Sequence, residues 1–334
     1  MTMVKKHYAL TYDIPFLPLF ILPHKGHVTG VMLGKDEYNR DVYLDFAKLP
    51  NNHAVIVGST GSGKTTLAKS LTLELSKQGK SVFIIDPHSD YVKLVRGVNG
   101  VVLDWRRVII DVFSPPCDPD IWIQELSELA LECFRTMTVV PLIEMWVREG
   151  FKPIDVKDPR LRVFMKVYGG AKKVDVDEVV KGVVCLNLLG LQDCVSRFIT
   201  IAALLKLHHY TQEVFGVCHE AKLIVIVDEA HTVISHTKLI EKIFRETRKF
   251  GWGAWLITQL PYDIPTTLYS LAGLVIALIG PEEYVNQLST IMSLSKEDMN
   301  FLLYGTRGVG ILKYQTDPRA KRVKFTINRL ALES

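Results

Sequence analysis

No stretch of this 334-residue chain offers the roughly 20 consecutive apolar residues that a bilayer core demands. The most apolar run near the start, Ile14 to Leu22, is broken by Pro15 and Pro18, so no membrane span is expected there. The basic pair Lys5-Lys6 is followed by Tyr, Thr and Asp, and no small-residue cleavage site comes after the apolar run, so a signal peptide is not expected either. Cysteine is scarce: five residues, Cys117, Cys133, Cys185, Cys194 and Cys218, none in C-x-x-C spacing. An odd number in a large chain without that spacing predicts reduced core thiols in a cytoplasmic protein. Repeats and low-complexity tracts are missing, which excludes a solenoid or a linker. Charge is nearly balanced, 40 basic against 36 acidic residues, so a net +4 permits a polyanionic partner without demanding one.

What is present is a series of short Val/Ile-rich runs that are continuous rather than alternating, the pattern of strands buried on both faces of a parallel sheet. They are Ala54–Val57, Ser81–Ile85, Val183–Leu186, Leu223–Val227, Ala254–Ile257 and Leu274–Ala277. Helix-length segments with 3.6-type apolar spacing lie between most of them, at Thr65–Lys77, Cys194–Tyr210, Lys238–Phe250 and Glu282–Met292. Strand and helix in alternation predict an α/β fold with a mostly parallel central sheet. Four stretches follow. Residues 1–50 read as a small N-terminal β appendage, and 51–114 as the first part of the core. Residues 115–180 read as a mostly helical insertion. Residues 181–334 complete the core and end in a β-hairpin (Gly308–Tyr314 and Arg322–Ile327). Arg319, Lys321, Arg322 and Lys324 make that hairpin basic; these side chains, like Lys172-Lys173, read either as DNA contacts or as a solvated face.

Gly58-Ser59-Thr60-Gly61-Ser62-Gly63-Lys64-Thr65 fits G-x-x-x-x-G-K-[ST] directly after an apolar strand and at the start of a helix. There the glycines let backbone amides wrap a triphosphate, Lys64 reaches the β- and γ-phosphates, and the Thr65 hydroxyl ligates Mg²⁺; Thr66 continues the cradle into the first helical turn. ATP and Mg²⁺ are the expected cofactors. The strand ending at Val227 carries Asp228-Glu229-Ala230-His231 at its C-terminal tip, the edge where α/β sheets bind ligands. Asp228 suits the metal, and Glu229 suits the deprotonation of an attacking water. Gln259 ends the next strand, where a neutral amide senses the γ-phosphate, holds the lytic water or merely caps a turn. The cluster Arg245-Glu246-Thr247-Arg248-Lys249-Phe250-Gly251 reads as a solvated face or as the source of an arginine for a neighbouring subunit.

In this order the motifs resemble the HerA/FtsK superfamily of ring-forming DNA-translocating ATPases, which includes conjugative coupling proteins and viral packaging motors. The likeness is closest to HerA. It runs from Gly34 to about Gln259 and includes Asp86-Pro87-His88-Ser89-Asp90-Tyr91 after the second strand, an element that P-loop ATPases in general lack. The resemblance implies a RecA-like P-loop NTPase fold and a homohexamer with nucleotide between subunits. It also implies Arg248 as a finger acting in trans, Gln259 as a sensor, and double-stranded DNA in the pore, with a nuclease or loading partner and a role in packaging, transfer or end-processing. Departures are the ~50 residues where HerA has a β-barrel domain, Leu260-Pro261 where an Arg-Pro often follows the glutamine, and Ser89 in place of a usual glycine. Two other readings share parts of this pattern. A secretion-type ATPase would move polypeptide instead. A superfamily 2 helicase shares Asp-Glu-Ala-His, but needs a second lobe and a Gln-x-x-Gly-Arg-x-x-Gly-Arg element that the chain lacks.

Overall fold

A computed structural model describes residues 30–234, 238–247 and 249–334. The strands are β1 (Val31–Asp36), β2 (Asp41–Leu44), β3 (Ala54–Val57), β4 (Ser81–Asp86), β5 (Val101–Asp104), β6 (Val108–Ile110), β7 (Lys172–Val174), β8 (Val183–Asn187), β9 (Cys218–Val227), β10 (Phe250–Thr258), β11 (Leu274–Leu278), β12 (Val309–Tyr314) and β13 (Lys321–Phe325). The helices are α1 (Lys64–Lys77), α2 (Val92–Gly97), α3 (Pro119–Phe134), α4 (Val140–Glu149), α5 (Pro159–Gly170), α6 (Val176–Val179), α7 (Asp193–Phe215), α8 (His231–Ile234), α9 (Lys238–Thr247), α10 (Thr266–Leu271), α11 (Glu282–Met292), α12 (Lys296–Tyr304) and α13 (Arg329–Glu333).

Eleven strands form one sheet in the order β2-β1-β13-β12-β11-β3-β10-β9-β4-β8-β5. From β11 to β5 every neighbouring pair is parallel. This is the mostly parallel sheet that the continuous apolar runs predict. From β11 outward the pairing turns antiparallel through β12, β13, β1 and β2. Strands β1 and β2, from the later part of the 1–50 segment, and the C-terminal hairpin β12–β13 therefore extend a single sheet side by side, while residues 1–29 of that segment lie outside the described residues.

Side chains alternate between two buried layers. Val55, Val57, Phe83, Ile85, Val225 and Val227 share one with residues of α3, α5, α7 and α9. Ala54, Ile56, Val82, Ile84, Ile224 and Ile226 share the other with α1, α2 and α13. Residues 119–170 are largely helical and seat on the first layer through aromatic rings. Phe113 lies 5.0 Å from both Trp146 and Tyr168, and 5.7 Å from Phe151, centroid to centroid. Such pairs contribute about 0.5–1.5 kcal/mol each beyond their area. The buried Lys206 of α7 adds a polar tie, its ammonium 2.8 Å from the Asp175 carboxylate.

Two expectations shift at their boundaries. The helix expected over Lys238–Phe250 stops at Thr247, and Phe250 already pairs with Cys218 of β9. Gly251, at φ +67°, supplies the irregular step between Phe250 and Trp252 that the pairing needs. The cysteines are unpaired as expected, but only Cys133 and Cys185 are buried; Cys117, Cys194 and Cys218 are half-exposed. A capping box opens α12, with Ser295 Oγ accepting from Asp298 N and the Asp298 carboxylate accepting from Ser295 N.

Candidate nucleotide site

The C-terminal tips of β3, β10, β9 and β4 lie side by side, and each contributes one element of the site. After β3 the chain wraps through Gly58–Gly63 into α1. Gly61 and Gly63 stand at φ +79° and +104°, a region open to glycine at little cost. A Cβ on Gly58 would lie 2.4 Å from Ser62 Oγ and 2.9 Å from Leu278 Cβ, so any other residue there would force both neighbours to shift. Ser59 anchors the loop to the end of β11 by donating from Oγ to Ile279 O at 2.9 Å. Lys64 folds across the loop, its ammonium donating to Gly58 O at 2.7 Å and Ser59 O at 3.1 Å. Burial pulls the Lys64 ammonium below its usual pKa, and the carboxylates of Glu229 and Asp228 oppose that pull. Ser62 Oγ is buried without a partner, and Thr66 is half-buried in the first turn of α1.

At the tip of β9, Thr65 Oγ1 donates to Asp228 Oδ2 at 3.3 Å. Burial pushes the Asp228 carboxyl up to about 6, against the pull of the Glu229 backbone N–H, which donates to Asp228 Oδ1 at 2.9 Å, and of the neighbouring Tyr91 hydroxyl. Glu229 itself sits at φ +48°, a sparsely populated conformation for a non-glycine residue. Ala230 N then donates to Ile257 O at 2.8 Å, which pins this turn to β10. The result aims Glu229 at Gln259, whose Nε2 donates to Glu229 Oε1 at 2.9 Å. Thr60 Oγ1 donates in turn to Gln259 Oε1 at 2.9 Å. The phosphate loop, the acidic doublet and the glutamine thus form one connected unit.

The Asp86–Tyr91 element closes the side toward β4. Asp86 Oδ1 accepts from His88 N and Asp90 N, and Oδ2 accepts from Tyr91 N at 2.9 Å, folding the segment over its own first residue. Ser89 occupies φ +66°, the left-handed conformation that accounts for a glycine being usual at this position. The fold buries Tyr91 completely and brings its hydroxyl beside Asp228. Tyr91 is thus part of the site's wall, a role the motif alone did not assign. His231 was likewise unassigned: its Nδ1 lies 3.2 Å from Glu229 Oε2.

Arg248 lies outside the described residues. Two of the four basic side chains of the C-terminal hairpin are committed to ion pairs within the chain. Arg322 pairs with Glu37, Glu297 and Asp298, and Lys321 with Asp317. Lys173 lies over the rings of Phe151 and Tyr168. Among the described residues no helix is long and apolar enough to cross a membrane.

The family model described as the central domain of helicase HerA matches residues 28–132. Among curated proteins, the chain is similar to a probable DNA double-strand break repair helicase HerA of Methanocaldococcus jannaschii. The two are 22% identical over 366 aligned residues, covering 83% of this chain and 72% of that protein. It is also similar to the DNA import protein CedB of Sulfolobus acidocaldarius, 21% identical over 364 residues, covering 94% of this chain but only 60% of that protein. Among solved structures, VirB4 of Thermoanaerobacter pseudethanolicus has the same fold, with a TM-score of 0.67 at 18% identity over 91% of this chain and 98% of that one. In its matched central domain, its ordered motifs and its RecA-like architecture, this chain is similar to P-loop ATPases of the HerA/FtsK type.

Proposed function

We propose that the chain is a Mg²⁺-dependent ATP hydrolase that moves double-stranded DNA, working as a homohexamer. The observation that carries the hydrolytic reading is the chain of hydrogen bonds from Thr60 through Gln259 to Glu229. A loop that only bound nucleotide would have no need of a carboxylate held in a strained turn and coupled to it. The residues fit Mg²⁺: the Thr65 hydroxyl and the Asp228 carboxylate are adjacent hard oxygen donors, and Mg²⁺ is commonly held by one or two such groups together with phosphates. When bound, the metal neutralises charge on the β- and γ-phosphates.

The chain's own residues supply the rest. Lys64 leaves the loop carbonyls for phosphate oxygens, the loop amides and the start of α1 add positive potential, and Glu229 accepts a proton from water that Gln259 helps to orient. Arg248 completes the site from a neighbouring subunit. DNA as the substrate is supported by the names of the two curated relatives, a DNA break-repair helicase and a DNA import protein.

The test measures ATP turnover and oligomeric mass with duplex DNA, with single strands and with a denatured polypeptide. Duplex should stimulate turnover, and the stimulation should fall steeply with salt as counterions return to the phosphates. Stimulation by polypeptide with no salt slope would transfer the function to protein transport. Arg248→Ala should lose turnover and regain part of it in mixed rings with wild-type subunits; full turnover in the variant alone removes the trans assignment.

A further inference from the structure

The loop joining α12 to β12, Gly305–Gly308, is fastened against the phosphate loop through the end of β11. A Cβ on Gly305 would lie 3.1 Å from Ile279 Cγ2 and 2.8 Å from Val309 Cγ2, so the backbone there is pressed onto both residues. Ile279 O is the same carbonyl that accepts from Ser59 N at 3.3 Å and from Ser59 Oγ at 2.9 Å. Ile279 therefore neighbours both loops.

This arrangement lays the side chain of Arg307 over Gly63, with Nε 3.8 Å and Cγ 3.9 Å from the point where a Cβ on Gly63 would stand. Arg307 is exposed and makes no hydrogen bond or ion pair among the described residues. An uncommitted guanidinium thus lies at the glycine that opens α1, where the loop amides and the helix dipole already favour anions.

We infer that Arg307 is a phosphate-binding residue of its own subunit's nucleotide site, contacting the diphosphate portion of the bound nucleotide; the inference rests on the nucleotide reading of the P-loop proposed above. Its position separates it from cleavage. Gln259 and Glu229 join the loop at Thr60, whereas Arg307 joins it at Gly63, three residues further on at the entrance to α1. Arg307 therefore strengthens binding of diphosphate and triphosphate alike, and leaves the chemical step to Glu229 and its partners. A planar fork of donors suits phosphate oxygens better than an ammonium does, so lysine restores only part of the effect.

The experiment measures equilibrium binding of fluorescently labelled ADP and ATP, and kcat at saturating ATP. The proteins are the wild-type chain, Arg307→Ala, Arg307→Lys and Lys64→Ala. Arg307→Ala should weaken both nucleotides about 10-fold, as expected for loss of one charge-assisted contact, with kcat within about 2-fold of wild type and Arg307→Lys in between. Unchanged affinity in Arg307→Ala, alongside loss of binding in Lys64→Ala, overturns the inference and leaves the P-loop reading standing. Unchanged affinity with lost kcat overturns it in favour of an arginine acting on the transition state. A wild-type chain that binds neither nucleotide overturns the P-loop reading and this inference together.

Discussion

The side-chain amide of Gln259 donates to a carboxylate oxygen of Glu229 at 2.9 Å, joining the tips of two adjacent parallel strands. Because the same amide accepts from Thr60 of the phosphate loop at 2.9 Å, a change at the loop is felt at the carboxylate through one side chain. Replacing Gln259 by alanine removes both bonds. Bonds to a charged partner contribute about 1.5–3 kcal/mol. Turnover of Gln259→Ala should therefore fall roughly 10- to 100-fold, while nucleotide affinity stays within about 3-fold; steady-state kinetics beside equilibrium binding separates the two. A variant that binds poorly and turns over normally when saturated would make Gln259 a structural cap only.

Glu229→Gln keeps the shape of the side chain and loses its basicity. Positioned general bases contribute about 10²–10⁴-fold, so single-turnover hydrolysis should drop by at least about 100-fold while ATP is still bound. Filter or fluorescence binding with unhydrolysed ATP checks retention. Hydrolysis near the wild-type rate would move the role of base to another group.

His53, just before β3, is fully buried and pairs with residues on two other elements. Its Nδ1 accepts from Ala254 N at 3.0 Å, and its Nε2 lies 3.1 Å from Thr247 Oγ1, so the ring is neutral with its proton on Nε2. Burial pulls its pKa down from 6.5 to about 3. A histidine whose folded pKa is depressed contributes its full stability above pH 6.5 and loses it as pH falls toward 3, because the unfolded chain takes up the proton first. The slope is about 1.4 kcal/mol per pH unit, so about 2 kcal/mol should disappear between pH 6.5 and 5. Urea midpoints across that range measure it. His53→Gln, less stable at neutral pH, should show a flatter profile; an unchanged profile would assign the acid sensitivity elsewhere.

Ser89 adopts φ +66° inside the Asp86–Tyr91 turn. The left-handed region costs a non-glycine residue about 1–2 kcal/mol, against about 0.5–1 kcal/mol of extra chain entropy that glycine loses on folding. The first effect is larger, so Ser89→Gly should raise the unfolding free energy by up to about 1 kcal/mol. Ser89→Val should lower it, since a β-branched residue is a poor fit at positive φ. Chemical denaturation of both variants supplies the comparison; a destabilised glycine variant would mean that the serine side chain holds the turn.

The parts of the site visible in the primary sequence are those made of contiguous residues. Gly58–Thr65 and Asp228-Glu229 stand out because a glycine-rich Lys-Thr motif and an acidic doublet are particular residue types at short spacing directly after an apolar strand. The Asp86–Tyr91 segment is recognisable by resemblance, but its role as a wall against Asp228 depends on β4 and β9 being neighbours in the sheet. The links Thr60–Gln259 and His53–Thr247 span 199 and 194 residues. Neither has a local pattern, and a glutamine or a histidine at a strand end is compatible with many partners.

The chain's own order of residues determined the α/β class, the positions of the parallel strands and the places of the P-loop motif and the acidic pair. These follow from the period of apolar side chains and from backbone chemistry acting over a few residues. Only the tertiary structure decided that β1 and β2 extend the sheet through β13, that Arg322 is held by three acidic side chains, and that Arg307 lies over Gly63. Those outcomes depend on strand order and on which surfaces meet across long loops. Loop closure costs free energy that grows only slowly with length, so spacing along the chain carries almost no record of it.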